Sequence, residues 1–398
     1  MRTVGVVTVG RSDYGCYVPL LRVLHRDPAL RLQLIVGGMH LEPAFGRTVE
    51  RITADGFDIA ERVEMRIASD TPEGIAASMG IGVTGFARVY ARLRPDLVIV
   101  LGDRFEMYAA ASAAVPFRIP IAHIAGGELT EGAIDNSFRH AITKLSHLHF
   151  VTTALYASRV IQMGEEPWRV TVCGAVGLDH LRTFVASDRR ALESLVGLPL
   201  DPAPLLVTYH PVTLEYDQAE AQIDALLEAL EPVARPLVFT APNADTNNRV
   251  VCRRIEAFVA RHPSAALIPN LGTQAYFSLM ARAAAMVGNS SSGLVEAPSF
   301  GVPVVDIGSR QAGRLRAANV IPCGYAAEEI RRAIARALAP EFRERLRGLR
   351  NPYGDGHAAP RILAALNGIP IDDRLLVKRF HHVGSPAEPR ETLVCTPS

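Results

Sequence analysis

The sequence predicts an α/β protein of two successive doubly wound halves with a cleft between them, and three observations lead there. Short apolar runs of strand length alternate with helical stretches along most of the 398 residues. The alternation breaks at Gly174-Ala175-Val176-Gly177, passes through the proline-rich stretch 198–204, and restarts at Leu205. Several of the apolar runs end in charged or hydroxyl-bearing residues, as strands do when their carboxyl ends open on a crevice.

Taken in order, residues 3–9 read as a strand, Gly10-Arg11-Ser12-Asp13 as a polar loop, and 14–25 as a helix. The loop brings backbone N–H groups, the Arg11 guanidinium and a helix start together, which suits a phosphate or carboxylate. It lacks the glycine spacing of a dinucleotide fingerprint. A strand over 32–37, the turn Gly37-Gly38-Met39-His40 and a helix over 44–54 follow. His40, just past a strand end, is either a ligand contact or a turn residue. A strand over 59–65 precedes a helix over 72–93, whose Thr71-Pro72 start supplies a cap and a first-turn proline.

Residues 95–139 carry the densest chemistry. Strands over 97–101 and 119–124 flank an alanine-rich helix over 105–114, so both strand ends face one crevice. The first ends in Gly102-Asp103-Arg104, and the second leads through His123, Glu128 and Glu131 to Asp135. Ionised groups are rarely kept at the mouth of an apolar sheet without a partner or a ligand. The plain alternative is an internal Asp103–Arg139 ion pair plus helix caps. A helix over 134–146 puts Asp135 and Arg139 on one face. Strands over 149–152 and 169–173, with a helix over 154–163 between them, close the half. His147 and His149, without a nearby third ligand, read as packing residues.

In the second half, strands over 205–209, 236–240, 265–268, 285–287 and 302–307 alternate with helices over 218–230, 247–261, 274–284 and 294–299. The first of these strands ends in His210 and the second leads to Asn243. Gly288-Asn289-Ser290-Ser291-Ser292-Gly293 offers three hydroxyls and backbone N–H groups at a helix start, a way to hold a diphosphate without lysine. Glu296 could accept from a ribose diol, and Arg310 and Arg314 add charge nearby. An ordinary serine cap would need only one of the three serines. Helices over 326–337, 341–347 and 359–366 end the half, and no periodicity continues past Asp372. The expected domains are therefore 1–178 and 179–371, with a flexible tail over 372–398.

Composition narrows the partners. Hydrophobic residues make up 48% and charged residues 21%, a globular balance. With 42 basic against 41 acidic residues, no general field draws the chain to nucleic acid or membrane, so an anion must be bound locally. Five dispersed cysteines argue against a disulfide framework and a thiolate zinc site, and a cytoplasmic location is expected. The N-terminus reads as a strand, not a signal peptide, and no apolar stretch is long enough to span a membrane. A homo-oligomer, dimer or tetramer, is the expected assembly.

Several stretches together resemble the hydrolysing UDP-N-acetylglucosamine 2-epimerases, in the branch serving sialic and legionaminic acid synthesis. They are GRSDYG, LGDRFEM, PIAHIAGGELTEGAID, FRHAITKLSHLHFVTT, QMGEEPWRV, YHPVT and GNSSSGLVEAPSFGVPVVDIG with RQAGR behind it. The resemblance implies two Rossmann-like domains in the glycosyltransferase-B arrangement, a UDP-sugar in the cleft, and no nicotinamide or metal in the chemical step. It implies that Ser290, Ser291 and Glu296 hold diphosphate and ribose, with Arg310, His210 and Asn243 alongside and Arg11 and Arg104 reaching over from the first domain. Asp103, Asp135 and Arg139 match the family's catalytic patch.

One departure stands out. Many members read His-Ile-Glu-Gly-Gly-Glu where this chain has His123-Ile124-Ala125-Gly126-Gly127-Glu128, so a proton-transfer glutamate is absent at Ala125. Asn136 likewise stands where a second aspartate is common. Glu128 or Glu131 is expected to supply the missing carboxylate. The candidate catalytic set is thus Asp103, Glu128, Glu131, Asp135, Arg139 and His210. The candidate substrate-binding set is Arg11, Asp13, His40, Arg104, Asn243, Ser290, Ser291, Ser292, Gly293, Glu296 and Arg310. The implied reaction eliminates the nucleoside diphosphate to a glycal and adds water, releasing a free N-acetylmannosamine-type sugar. A glycosyltransferase of the same architecture and a non-catalytic nucleotide-sugar sensor are the alternatives.

Overall fold

The structure, a computed structural model, describes residues 1–42, 48–65, 71–131, 133–242 and 248–384. Asn243, Gly132, part of the helix expected over 44–54 and the last residues, 385–398, lie outside the described residues. The first seven strands are β1 (Arg2–Thr8), β2 (Leu30–Gly37), β3 (Ile59–Val63), β4 (Leu97–Leu101), β5 (Ile121–Ile124), β6 (Leu148–Val151) and β7 (Val170–Val172). They form one parallel sheet in the order β3-β2-β1-β4-β5-β6-β7. The second sheet orders β8 (Leu205–Thr208), β9 (Leu237–Thr240), β10 (Ala265–Ile268), β11 (Ala285–Gly288), β12 (Val304–Ile307) and β13 (Val320–Cys323) as β10-β9-β8-β11-β12-β13. Its strands are also parallel.

Parallel strands need helices on both faces, and the strands in the middle of each sheet are correspondingly rich in apolar residues. Val4, Val6 and Val7 of β1 and all of Leu205, Leu206 and Val207 of β8 are buried. The alanine-rich helix Phe105–Ala114 packs between the helices Pro72–Leu93 and Asp135–Leu145. Its small side chains permit that approach: a Cβ at Gly82 would lie 3.1 Å from the Ala109 Cβ. In each sheet the strand order reverses once, between β1 and β4 and between β8 and β11. Those two reversal points are where crevices open at the carboxyl ends of the strands.

The chain then crosses back. Helix Ala358–Gly368 packs on helix Arg11–Arg26, with Ile362 and Leu366 buried in the first domain's core. Both carboxylate oxygens of Asp179 cap its first turn, accepting from the N–H groups of Ala358 at 2.8 Å and Ala359 at 2.7 Å. Beyond it, the Arg169 guanidinium donates to the carbonyls of Leu375, Arg374 and Val377 at 2.8, 2.9 and 3.0 Å. Lys378 reaches the buried Glu165 at 2.8 Å. Residues 358–376 therefore complete the first domain, where the sequence suggests the second, and residues 372–381 are docked where it suggests a free tail. Most of these anchors are backbone carbonyls that accept from one arginine, which leave no periodicity to read.

Candidate active site in the interdomain cleft

At the end of β1, Asp13 sits in the first turn of helix Arg11–Arg26 with 5% of its surface exposed. Its Oδ2 accepts from the Thr8 hydroxyl at 2.6 Å and the Val9 N–H at 2.9 Å, while Oδ1 is buried with no partner among the described residues. Burial pushes its pKa up to about 6, against the lowering effect of those hydrogen bonds and of Arg104. His40 supports this arrangement from behind and does not reach the cleft. It is fully buried, with Nε2 on the Thr8 hydroxyl at 2.9 Å and Nδ1 on the Thr48 hydroxyl at 2.7 Å. Burial holds it down to about 4, so it is a neutral bracket rather than the ligand contact that the strand end suggests. Arg11 is exposed at the rim, and its Nη1 lies 3.5 Å from the Pro269 carbonyl of the other domain.

At the end of β4, Gly102 takes a φ of 80°, the left-handed region that a glycine enters freely, and turns Asp103 toward the cleft. Asp103 is ion-paired with Nη2 of Arg139, which also donates to the Thr130 hydroxyl at 3.0 Å. The Nε and Nη1 groups of Arg139 are buried without a partner among the described residues. Burial pushes the Asp103 carboxyl up, but the guanidiniums of Arg139, Arg314 and Arg104 outweigh it and hold the group below its usual range. His123 on β5 fixes the turn. Its Nε2 donates to the Gly102 carbonyl at 2.7 Å, and its Nδ1 pairs with the Thr143 hydroxyl at 3.1 Å. Burial keeps this histidine neutral, down to about 3.

The next turn is tight. Ala125 has a φ of 64°, a conformation that costs a non-glycine residue. A Cβ at Gly126 would meet His123 Nδ1 at 2.9 Å, and one at Gly127 would lie 2.5 Å from the Tyr156 carbonyl oxygen. The turn delivers Glu128 into the cleft, 5% exposed. One of its oxygens accepts from Thr152 at 3.1 Å and the other from Nη2 of Arg314 at 2.8 Å. Glu131 goes elsewhere: it is exposed, its N–H donates to the Ala312 carbonyl at 3.3 Å, and it does not line the cavity. Asn136 accepts from the Thr130 N–H at 2.9 Å and so shapes the same loop. Asp135 opens helix Asp135–Leu145 and faces the cavity.

From the second domain, Asn289 clamps the backbone of His210, accepting its N–H at 2.7 Å and donating to its carbonyl at 2.8 Å. Ser290 and Ser291 face the cleft, whereas Ser292 turns away to Tyr276 at 2.6 Å and Ser290 at 3.0 Å. Gly293 serves packing, since a Cβ there would lie 2.7 Å from Val304. The helix that follows, Ser292–Val295, has only four residues. Any anion here depends on the serine hydroxyls and local N–H groups more than on a helix dipole. Glu296 lines the cleft, and burial chiefly, backed by the charge of Glu128, pushes it up to about 8.

These groups surround one cavity of about 350 Å³ between the domains. It brings together Asp13, Asp103, Arg104, Glu128, Asp135, Arg139, His210, Ser290, Ser291, Glu296 and Arg310. Among the candidates, Arg11, His40, Glu131, Ser292 and Gly293 do not line it, and Asn243 lies outside the described residues. Thr152, Gln311 and Cys16 line it unannounced. Gln311 donates to the Asn289 carbonyl at 2.8 Å, a link that no local pattern signals. His147 and His149 stay in the structural background, His147 accepting from the Ile121 N–H and His149 bonding Glu165. Chemically, the cavity sets carboxylates and guanidiniums of one domain opposite hydroxyls, two guanidiniums and the Glu296 carboxyl of the other, a lining suited to an anionic ligand.

Residues 22–367 match the family described as UDP-N-acetylglucosamine 2-epimerase. The chain is 38% identical to the GDP/UDP-N,N'-diacetylbacillosamine 2-epimerase (hydrolyzing) of Campylobacter jejuni, over 80% of this chain and 84% of that protein. It is 35% identical to the UDP-N,N'-diacetylbacillosamine 2-epimerase (hydrolyzing) of Legionella pneumophila, over 95% of this chain and 99% of that one. The crystal structure of the Neisseria meningitidis UDP-GlcNAc 2-epimerase bound to UDP-GlcNAc superposes with a TM-score of 0.80 at 19% identity, covering 92% of this chain and 100% of that one. That last likeness concerns the two-domain fold.

Proposed function

The chain belongs to the UDP-N-acetylglucosamine 2-epimerase family, and we propose that it is a hydrolysing 2-epimerase acting on a UDP-linked 2-acetamido sugar. The observation that carries this is the interdomain cavity joining Asp103, Arg139 and Glu128 to Ser290 and Ser291.

In the proposed reaction the diphosphate lies against Ser290, Ser291, Arg310 and Arg104. These donors stabilise charge that grows as the C1–O bond breaks, typically by a few kcal/mol per well-placed group. A carboxylate removes the C2 proton, the C–H pair becomes the C1–C2 double bond, and the C1–O pair leaves with the nucleoside diphosphate. Asp103, held ionised by Arg139, is the group suited to accept that proton. Water then adds across the double bond, its oxygen to C1 and a proton to the opposite face of C2. Glu128 and Asp135 are placed for this second step, and Glu128 takes the place of the residue-125 carboxylate.

The names of two relatives make N,N'-diacetylbacillosamine a candidate sugar beside N-acetylglucosamine. The test is incubation with UDP- and GDP-linked forms of both, followed by NMR in deuterated water. Free sugar with inverted, deuterated C2 is expected. Free sugar with C2 unchanged, or turnover only with an added acceptor, would replace the proposal with a plain hydrolase or a glycosyltransferase.

A further inference from the structure

We propose that Tyr156 and Tyr353 are positioning residues for this reaction: their hydroxyls hold the peptide of Leu315 and so keep the neighbouring Arg314 on Glu128. The inference rests on the reading of the cleft just given.

The hydrogen bonds form a closed ring, and their directions follow from the groups. A carbonyl only accepts, so the Tyr353 hydroxyl donates to the Leu315 carbonyl at 2.9 Å. A backbone N–H only donates, so Tyr156 receives the Leu315 N–H at 3.1 Å. The Tyr156 proton is then left for the Tyr353 oxygen, at 3.0 Å. Each hydroxyl donates once and accepts once, and neither tyrosine is exposed. Closed chains of this kind reinforce their members.

The ring ties together distant parts of the chain. Tyr156 belongs to helix Ala154–Gln162, on which the Gly127 turn rests. Tyr353 precedes the helix that returns to the first domain, and its carbonyl accepts from the Ala175 N–H at 2.8 Å. On either side of Leu315, Arg314 grips Glu128 at 2.8 Å and the Leu129 carbonyl at 3.1 Å, while Arg316 grips Asp306 on β12 at 2.9 Å. Three successive residues of the second domain are thus pinned, the middle one by main-chain hydrogen bonds and by its side chain packing on the cluster that holds both tyrosines. Neither tyrosine lines the cavity, so each acts through Arg314, whose charge reaches both Glu128 and Asp103.

Tyr156→Phe removes the acceptor for the Leu315 N–H, and Tyr353→Phe, the second variant, removes the donor to its carbonyl. Hydrogen exchange at the Leu315 amide reads the clamp in Tyr156→Phe independently of turnover. It should accelerate there, and in both variants kcat should fall at least about tenfold with KM within about threefold. The acid limb of the kcat–pH profile should move to higher pH as Asp103 loses the field of Arg314. A folded Tyr156→Phe protein with faster Leu315 exchange but wild-type kcat and pH profile would overturn the inference. So would a folded Tyr353→Phe protein with wild-type kcat and pH profile. A wild-type protein with no turnover would instead overturn the functional reading, and this inference with it.

Discussion

Arg139 grips Asp103 with one terminal nitrogen and keeps its other two nitrogens, Nε and Nη1, buried without a partner among the described residues. Such unmet donors cost about 1–3 kcal/mol each, and ligand oxygens or water in the cleft would recover it. The ion pair that a purely structural account would expect is thus present, yet it leaves donors aimed at something else. Replacing Asp103 or Asp135 by asparagine should lower turnover at least about 100-fold with little change in KM, as loss of a general acid or base does. Steady-state release of free sugar measures this, and near-normal turnover of Asp135→Asn would return that residue to a capping role.

The two glutamates after the Gly126-Gly127 turn should separate cleanly. Glu128→Gln is expected to cost at least about 100-fold and to suppress deuterium entry at C2, while Glu131→Gln, exposed and outside the cavity, should stay within about twofold. The reverse ranking would mean that the loop rearranges around substrate.

For the diphosphate, the Ser290→Ala/Ser291→Ala double variant should weaken UDP binding by about tenfold or more, since each lost hydrogen bond to a charged group is worth about 1.5–3 kcal/mol. Calorimetry reads the affinity directly. Ser292→Ala, whose hydroxyl is engaged by Tyr276, should change UDP affinity much less.

Asp13 predicts a pH dependence of stability. Its carboxyl is raised from 3.8 to about 6, so between those values the folded protein keeps a proton that the unfolded chain has lost. Stability from this group is complete below 3.8, falls as pH rises through about 6, and its full cost is present above that. At about 1.4 kcal/mol per pH unit, that cost is on the order of 3 kcal/mol. Asp13→Asn keeps an acceptor for Thr8 and Val9, so urea melts should show it more stable than wild type at pH ~8 and little different at pH ~4. Equal gains at both would rule out titration as the cause.

Backbone strain gives a further pair. Ala125→Gly should stabilise the protein by about 0.5–1 kcal/mol, because glycine meets no penalty at a positive φ. Gly127→Ala should destabilise it by several times as much, since the new methyl would collide with the Tyr156 carbonyl and Val160. Thermal melts of the two variants should move in opposite directions.

Local patterns explain which parts are legible in the sequence. The strand–helix–strand unit at β4 and β5 stands out because its apolar runs are continuous and its helix is built of alanine, leaving the charges visible at the strand ends. The edge strand β13 escapes such a reading because Pro322 interrupts it, which only an edge position tolerates. Helix Arg189–Val196 is hidden in the polar passage between the halves. Within the site, Asp103, Asp135 and Arg139 are readable from spacing. The partnership of Glu128 with Arg314, 186 residues apart, is not. His40 misleads because a strand-end position says nothing about which way the ring turns, and here it turns inward to two threonines.

The returning helix Ala358–Gly368 has a consequence for how the protein is made. The groove on the first domain that it fills stays empty until the whole second domain has left the ribosome, so the nascent first half carries an open apolar face throughout that interval. A gene cut between the two sheets would make that exposure permanent. Expressing the second half by itself would leave its partner without Ile362, Leu366 and Leu375, so dissecting this protein calls for grafting the last helices back onto the first domain.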